Sequence, residues 1–174
     1  MNRCLYLLII LVLPLFSFSQ QWKTFTDTAG KFTAQYPANW VNKVKEGNRV
    51  FFTSPGDSEA DKFFENINIS VTQKEGFGTG IKVSDLFPSV TNSIKKEFIE
   101  YKDEGVRYFK WNNTDAAEVI YSGYSKLDES FKVRTTQWYC FYKSRLYMVT
   151  FVASADNNTH NQTARKIMTS IVFK

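Results

Sequence analysis

This chain of 174 residues has one histidine, two cysteines, four prolines and eight glycines, so most familiar site chemistries have few residues to draw on. His160 lies in a polar Asn/Thr run, where a solvated loop or a position beside a helix cap is expected rather than a catalytic role. No His/Cys cluster is available for zinc or iron. Cys4 precedes the first apolar run, which leaves Cys140 without a partner for a disulfide. In Trp138-Tyr139-Cys140-Phe141-Tyr142 the aromatics fall on both faces of a strand, so Cys140 reads as a small buried hydrophobe and not as a reactive thiol. Gly76, Gly78 and Gly80 have the spacing of neither the dinucleotide fingerprint nor the Lys-Ser/Thr phosphate loop, and read as a flexible connection. The excess of positive charge, +5, is scattered and interspersed with acids, which describes a solvated surface and gives no reason to expect nucleic acid.

There is one long apolar run, Leu5 to Phe16, after a short basic start at Arg3. At about twelve residues it is too short for a membrane span, which needs roughly twenty. Ser17-Phe18-Ser19 places small residues three and one before a cut between Ser19 and Gln20, so residues 1–19 are expected to be a secretory signal peptide. They hold one basic residue and no acid, and without them the charge is +4. Residues 20–174 then form a single domain, secreted or periplasmic, with no transmembrane segment after processing.

Within that domain the apolar pattern alternates between strand and helix periods. Phe32, Ala34 and Tyr36 alternate with polar neighbours up to Pro37, and Ile67, Ile69 and Val71 do the same. Further strands are expected over Arg49 to Thr53, Phe64 to Gln73, Arg107 to Trp111, Ala117 to Ser125, Lys132 to Tyr142 and Leu146 to Ala153. Leu86, Val90, Ile94 and Phe98 make one helical stripe behind Ser84 as N-cap and Pro88 in the first turn. Ala164, Ile167, Met168 and Ile171 make a second, shorter one. Strands, helix, hairpin-linked strands, helix is the order of an α+β fold: an antiparallel sheet of about six or seven strands flanked by helices.

Several pieces carry a family resemblance: Phe32-x-x-x-Tyr36-Pro37-x-x-Trp40, the strand Asn66 to Val71, the restart Thr114-Asp115-Ala116-Ala117, the run Tyr147 to Ala153 and the closing Ser170-x-x-Phe173. In this order they resemble the PsbP-like family, named for an extrinsic subunit of the photosynthetic oxygen-evolving complex. A Gly usual before the Ala pair is replaced, with Asn113 the nearest residue able to take its backbone shape. The resemblance implies an α/β/α sandwich of PsbP-like fold and a docking habit. Photosynthetic members dock on a membrane complex and help retain its Ca2+ and Cl-, and a nuclear-transport factor of similar fold binds a small GTPase.

The expected function is therefore a non-catalytic interaction or assembly module, not an enzyme, docking to an envelope or periplasmic protein through exposed aromatics and basic residues. Two alternatives stand beside it. One is a small-ligand or glycan binder with an aromatic-lined cleft; the other is an enzyme with a carboxylate site, Glu65 or Glu118 projecting from strands. No cofactor is expected. Asp57, Glu59 and Asp61 alternate like Ca2+-loop ligands, but the central Gly and terminal Glu of the full pattern are missing, and a solubilising loop is the default. Asn68, Asn112, Asn157 and Asn161 match the N-glycosylation pattern.

Overall fold

A computed structural model describes residues 20–45, 47 and 49–174; the expected signal peptide and Ser19 of its junction lie outside the described residues. Strands β1 (Trp22–Asp27), β2 (Phe32–Pro37), β3 (Val41–Lys45), β4 (Arg49–Thr53) and β5 (Asn66–Gln73) come first. Helix α1 (Phe87–Glu97) follows, then β6 (Phe98–Trp111), β7 (Thr114–Ser125), β8 (Asp128–Tyr142), β9 (Arg145–Ser154), α2 (Asn161–Thr169) and β10 (Val172–Phe173). Seven strands form one antiparallel sheet in the order β3-β4-β5-β9-β8-β7-β6, and β1-β2-β10 form a second, small sheet.

The pleat of β8 dictates how these layers stack. Trp138 and Cys140 point to one face and Tyr139 and Phe141 to the other, and all four are buried. A strand apolar on both faces has to be covered on both. On one side β2, β10 and α2 supply Phe32, Ala34, Tyr36, Phe173, Ile167 and Met168, which pack with Trp138, Tyr147, Val149 and Phe151. On the other, α1 and the 3-10 turn before it (Val83–Leu86) set Val83, Phe87, Val90 and Ile94 over Ala117, Val119, Tyr121 and Tyr139. Each large apolar side chain buried this way stabilises by roughly 1.5–3 kcal/mol. The α+β class and the antiparallel sheet hold. The helix-flanked sandwich overstates the helices: two short ones are present among the described residues, and one cover is largely a second sheet.

Turns fix the register. Asn112 and Asn113 both take positive φ (48° and 62°), giving the two-residue hairpin turn whose twist matches its strands. Asn113 thus adopts the backbone shape expected of it. Lys143 and Ser144 do the same at 47° and 58°, with the side-chain strain that Asn or Gly would reduce. Gly123 faces the irregular start of β6, where a Cβ would come within 2.8 Å of the Ile99 carbonyl oxygen. The short β1, β3 and β10 fall outside the expected strands, and the edge strand β6 starts nine residues earlier than its apolar alternation. Ser84 is not the N-cap: it lies inside the 3-10 turn, whose N-cap is Lys82, and Asp85 closes the cap by accepting the Lys82 N–H at 2.8 Å.

The two sheets are also tied by Tyr147, whose hydroxyl donates to the Gly30 carbonyl at 2.9 Å inside the core. Burial pushes this phenol up to about 12. Tyr147→Phe leaves that carbonyl unsatisfied and should cost about 1–3 kcal/mol. A denaturant titration should show a lower midpoint with an unchanged slope; an unchanged midpoint would mean the tie contributes nothing.

Candidate functional site

Polar side chains gather at three places. The first lies where the β4–β5 loop meets the β9–α2 loop. Glu65, immediately before β5 rather than on a strand as expected, is buried and accepts the Ser54 hydroxyl at 3.1 Å and the Asn157 amide at 3.2 Å. The same amide donates to Asp57 at 2.7 Å. His160 Nε2 lies 3.0 Å from Asp57 and 4.0 Å from Glu65, its N–H out of line for a hydrogen bond, and its ring meets Trp40 edge-on at 5.6 Å. His160 is the N-cap residue of α2, in keeping with the expected place at a helix cap; the solvated alternative is corrected, because Trp40 and the acidic loop enclose the ring, with 13% of the side chain exposed. Two acids and a histidine do converge, but Cys140 stays in the core of the sheet. The neighbouring cavity, about 250 Å³, is lined by Asn157 and Asn161 and reaches neither Glu65 nor His160.

The Ca2+ candidates belong to this loop. Asp61 accepts the backbone N–H groups of Asp57 (2.9 Å) and Phe63 (3.0 Å), which hold its carboxyl below the usual value of 3.8. Asp57 is engaged by Asn157 and His160, and Glu59 stands exposed. A cation would have to displace these donors. Among the described residues no group of three or more His, Cys, Asp or Glu is arranged to hold a metal ion.

The second place is Glu118 on β7, buried against Trp138 on β8 and Arg107 on β6. It accepts Trp138 Nε1 at 2.6 Å, Arg107 Nε at 3.0 Å and Arg165 Nη1 from α2 at 3.1 Å. Glu65 and Glu118 therefore sit in separate environments, each supplied with donors by the protein. Neither arginine carried a sequence signal, because the acceptor they share is eleven and forty-seven residues away.

The third is an open groove of about 880 Å³ between residues 78–84 and the end of the β6–β7 hairpin. Tyr108, Ile81 and Phe141 give it apolar walls, and Lys82 and Lys110 also line it. Tyr108 is 59% exposed and Ile81 43%. The glycines thus border a cavity rather than a phosphate loop. Of the glycosylation matches, Asn112 and Asn157 have their amides committed, to the Ile171 carbonyl (2.6 Å) and to the acidic loop, and Asn68 lies within β5.

The architecture is that of solved PsbP-like structures. Cyanobacterial PsbP from Synechocystis superposes with a TM-score of 0.61 at 11% identity, covering 91% of this chain and 96% of that one. The Ran-binding protein Mog1p of Saccharomyces cerevisiae gives 0.60 at 8%, over 89% and 96%. LpqN of Mycobacterium tuberculosis, involved in cell envelope biogenesis, gives 0.58 at 10%, over 91% and 87%. These identities establish the PsbP-like fold alone. No family model and no curated sequence matches the chain.

Burial pushes the Cys140 thiol well above its ordinary range. In native protein it should react with a disulfide reagent at least about 100-fold more slowly than in denaturant; comparable rates would place it at the surface. Because the folded carboxyl of Asp61 titrates below 3.8, its stabilisation is complete above that pH and is lost as pH falls through the lower folded value. Asp61→Asn should accordingly lower the denaturant midpoint at pH 7, with the gap to wild type narrowing by pH 3.

Proposed function

We propose that this protein is an exported, non-catalytic binding module that takes an extended segment of an envelope protein along the groove beside β6. The observation that carries this reading is the groove itself, which lies at an edge of the large sheet and gathers exposed aromatic and aliphatic side chains. Strand β6 pairs with β7 and with no other described strand, so its outer row of backbone donors and acceptors is open to an added strand. Val106 and Tyr108 project from that stretch, where they offer anchors for the alternate side chains of a partner. Lys82 and Lys110 favour an acidic or carbonyl-rich segment, although Lys110 also pairs with Asp115 at 2.7 Å. A Ran-binding protein and an envelope-biogenesis protein with the same fold support a binding role. Export rests on the leader expected over residues 1–19.

A second reading, a small ligand or glycan in the same groove, is favoured by the aromatic lining of Tyr108 and Phe141. The test is a Tyr108→Ser/Ile81→Ser double variant, whose positions are exposed enough to leave the fold intact. Pull-downs from envelope extract should return a defined protein with wild type and lose it with the variant, at a cost of about tenfold or more in affinity. Retention of the same protein by both would remove the groove from the interface. Binding to an oligosaccharide array that the variant abolishes, with no protein captured, would favour the second reading.

A further inference from the structure

On the opposite face of the sheet from that groove, two guanidinium groups are fastened to one buried carboxylate. Arg107 binds Glu118 Oε1 through Nε (3.0 Å) and Nη2 (2.9 Å), and Arg165 binds Oε2 through Nη1 (3.1 Å). Glu118 has 5% of its side chain exposed, whereas the two arginines have 52% and 51%. One guanidinium neutralises a carboxylate, so this triad keeps one positive charge at the surface.

Each fork is also held from behind. The Arg107 guanidinium carbon lies 5.2 Å from the centre of the Phe109 ring, and that of Arg165 lies 5.6 Å from the Trp138 ring. Trp138 in turn donates to Glu118 at 2.6 Å. Both side chains have therefore already given up much of their rotamer freedom, which lowers the ordering cost of binding a further ligand. The donors not spent on Glu118, Nη1 of Arg107 and both Nε and Nη2 of Arg165, lie on half-exposed side chains. One helical turn before Arg165, Asn161 lines the cavity of about 250 Å³ whose floor includes Thr136, two residues along β8 from Trp138. Neither Arg107 nor Arg165 is among the residues that line that cavity, so their spare donors are approached from the surface. Arg134, the arginine that does line this cavity, is engaged by Glu104 at 2.7 Å.

We propose that Arg107 and Arg165 form an oxyanion-binding site, with Glu118 fixing the two forks and a phosphate or carboxylate group as the ligand. Charge-assisted, bidentate hydrogen bonds from guanidinium groups are the strongest recognition chemistry open to such ligands. One arginine suffices to neutralise Glu118, so the second leaves a net positive charge that a bound oxyanion would balance. The site is independent of the β6 groove, so either can fail without the other.

The experiment follows the Trp138 indole N–H and the two arginine Nε–H signals by NMR in the purified protein. Inorganic phosphate and, separately, succinate are titrated against sodium chloride at matched ionic strength. The expected result is a saturable shift of all three signals with at least one of the two anions. Saturation by phosphate alone identifies a phosphoryl ligand, and saturation by succinate identifies carboxylates such as those of acidic side chains. Arg165→Gln should weaken the apparent affinity by about tenfold or more while the remaining indole signals keep their native dispersion. Shifts that follow ionic strength equally in all three salts would overturn the proposal. So would undiminished affinity in a folded Arg165→Gln variant.

Discussion

Strand β8 has no wet face, and the rest of the architecture follows from that. With Trp138 and Cys140 on one side and Tyr139 and Phe141 on the other, the sheet has to be covered twice, and the covers differ. The small sheet with α2 closes one face by broad aromatic packing: Phe173 meets Trp111 at 4.8 Å and Tyr147 at 4.4 Å between ring centres. Helix α1 closes the other with a narrower stripe and leaves the β3–β5 end of that face to Asn66, Asn68 and Ser70. That difference explains why β5 alternates apolar with polar residues while β8 does not.

Covering both faces buries polar groups as well, and the fold supplies the two carboxylates and Gln137 with partners, while the Trp111 indole N–H and the Tyr101 hydroxyl on β6 have none among the described residues. Glu118 is surrounded by three donors, and Glu65 by Ser54 and Asn157. On the α1 face Tyr139 donates to Gln137 at 2.6 Å, and Gln137 donates to Thr150 at 3.0 Å. Removing one member of such a set would strand the others, which makes these residues costly to vary even though exchanging a whole ion pair for apolar groups can be neutral. Long-range polar pairs of this kind also specify register, because a one-residue slip would turn Glu118 toward α1.

What could be read in advance follows the range over which each feature is determined. The β8–β9 hairpin was legible because Tyr142 and Arg145 flank a two-residue turn and the alternation continues on both sides. The α1 stripe was legible too, but its start was misread because Asp85 reaches back to Lys82 and outcompetes Ser84. Strand β3 has no buried residue and so no pattern to detect; it exists because β4 offers a free edge. The early part of β6 is equally exposed and is held by pairing with β7 across two irregularities. The enclosure of His160 was missed because its surroundings come from Trp40, Asp57 and Glu65, more than ninety residues earlier in the chain. The groove at Tyr108 and the arginine pair depend likewise on contacts between distant segments, which no local window contains.

The distribution of reactive groups keeps Cys140 and His160 apart. A nucleophile needs a base within reach and an opening for substrate, and Cys140 has burial without either. His160 has carboxylates beside it, yet the cavity next to it opens on Asn157 and Asn161 instead. The two groups whose meeting would define an acid-base site are thus assigned to different layers of the fold. Where the molecule does present chemistry outward, at Tyr108 and Ile81 on one face and at Arg107 and Arg165 on the other, the side chains suit contact and charge recognition. Both proposed recognition sites lie where the covers end, at the edge strand β6 and at half-exposed cations that escape the demand β8 makes on the inner strands.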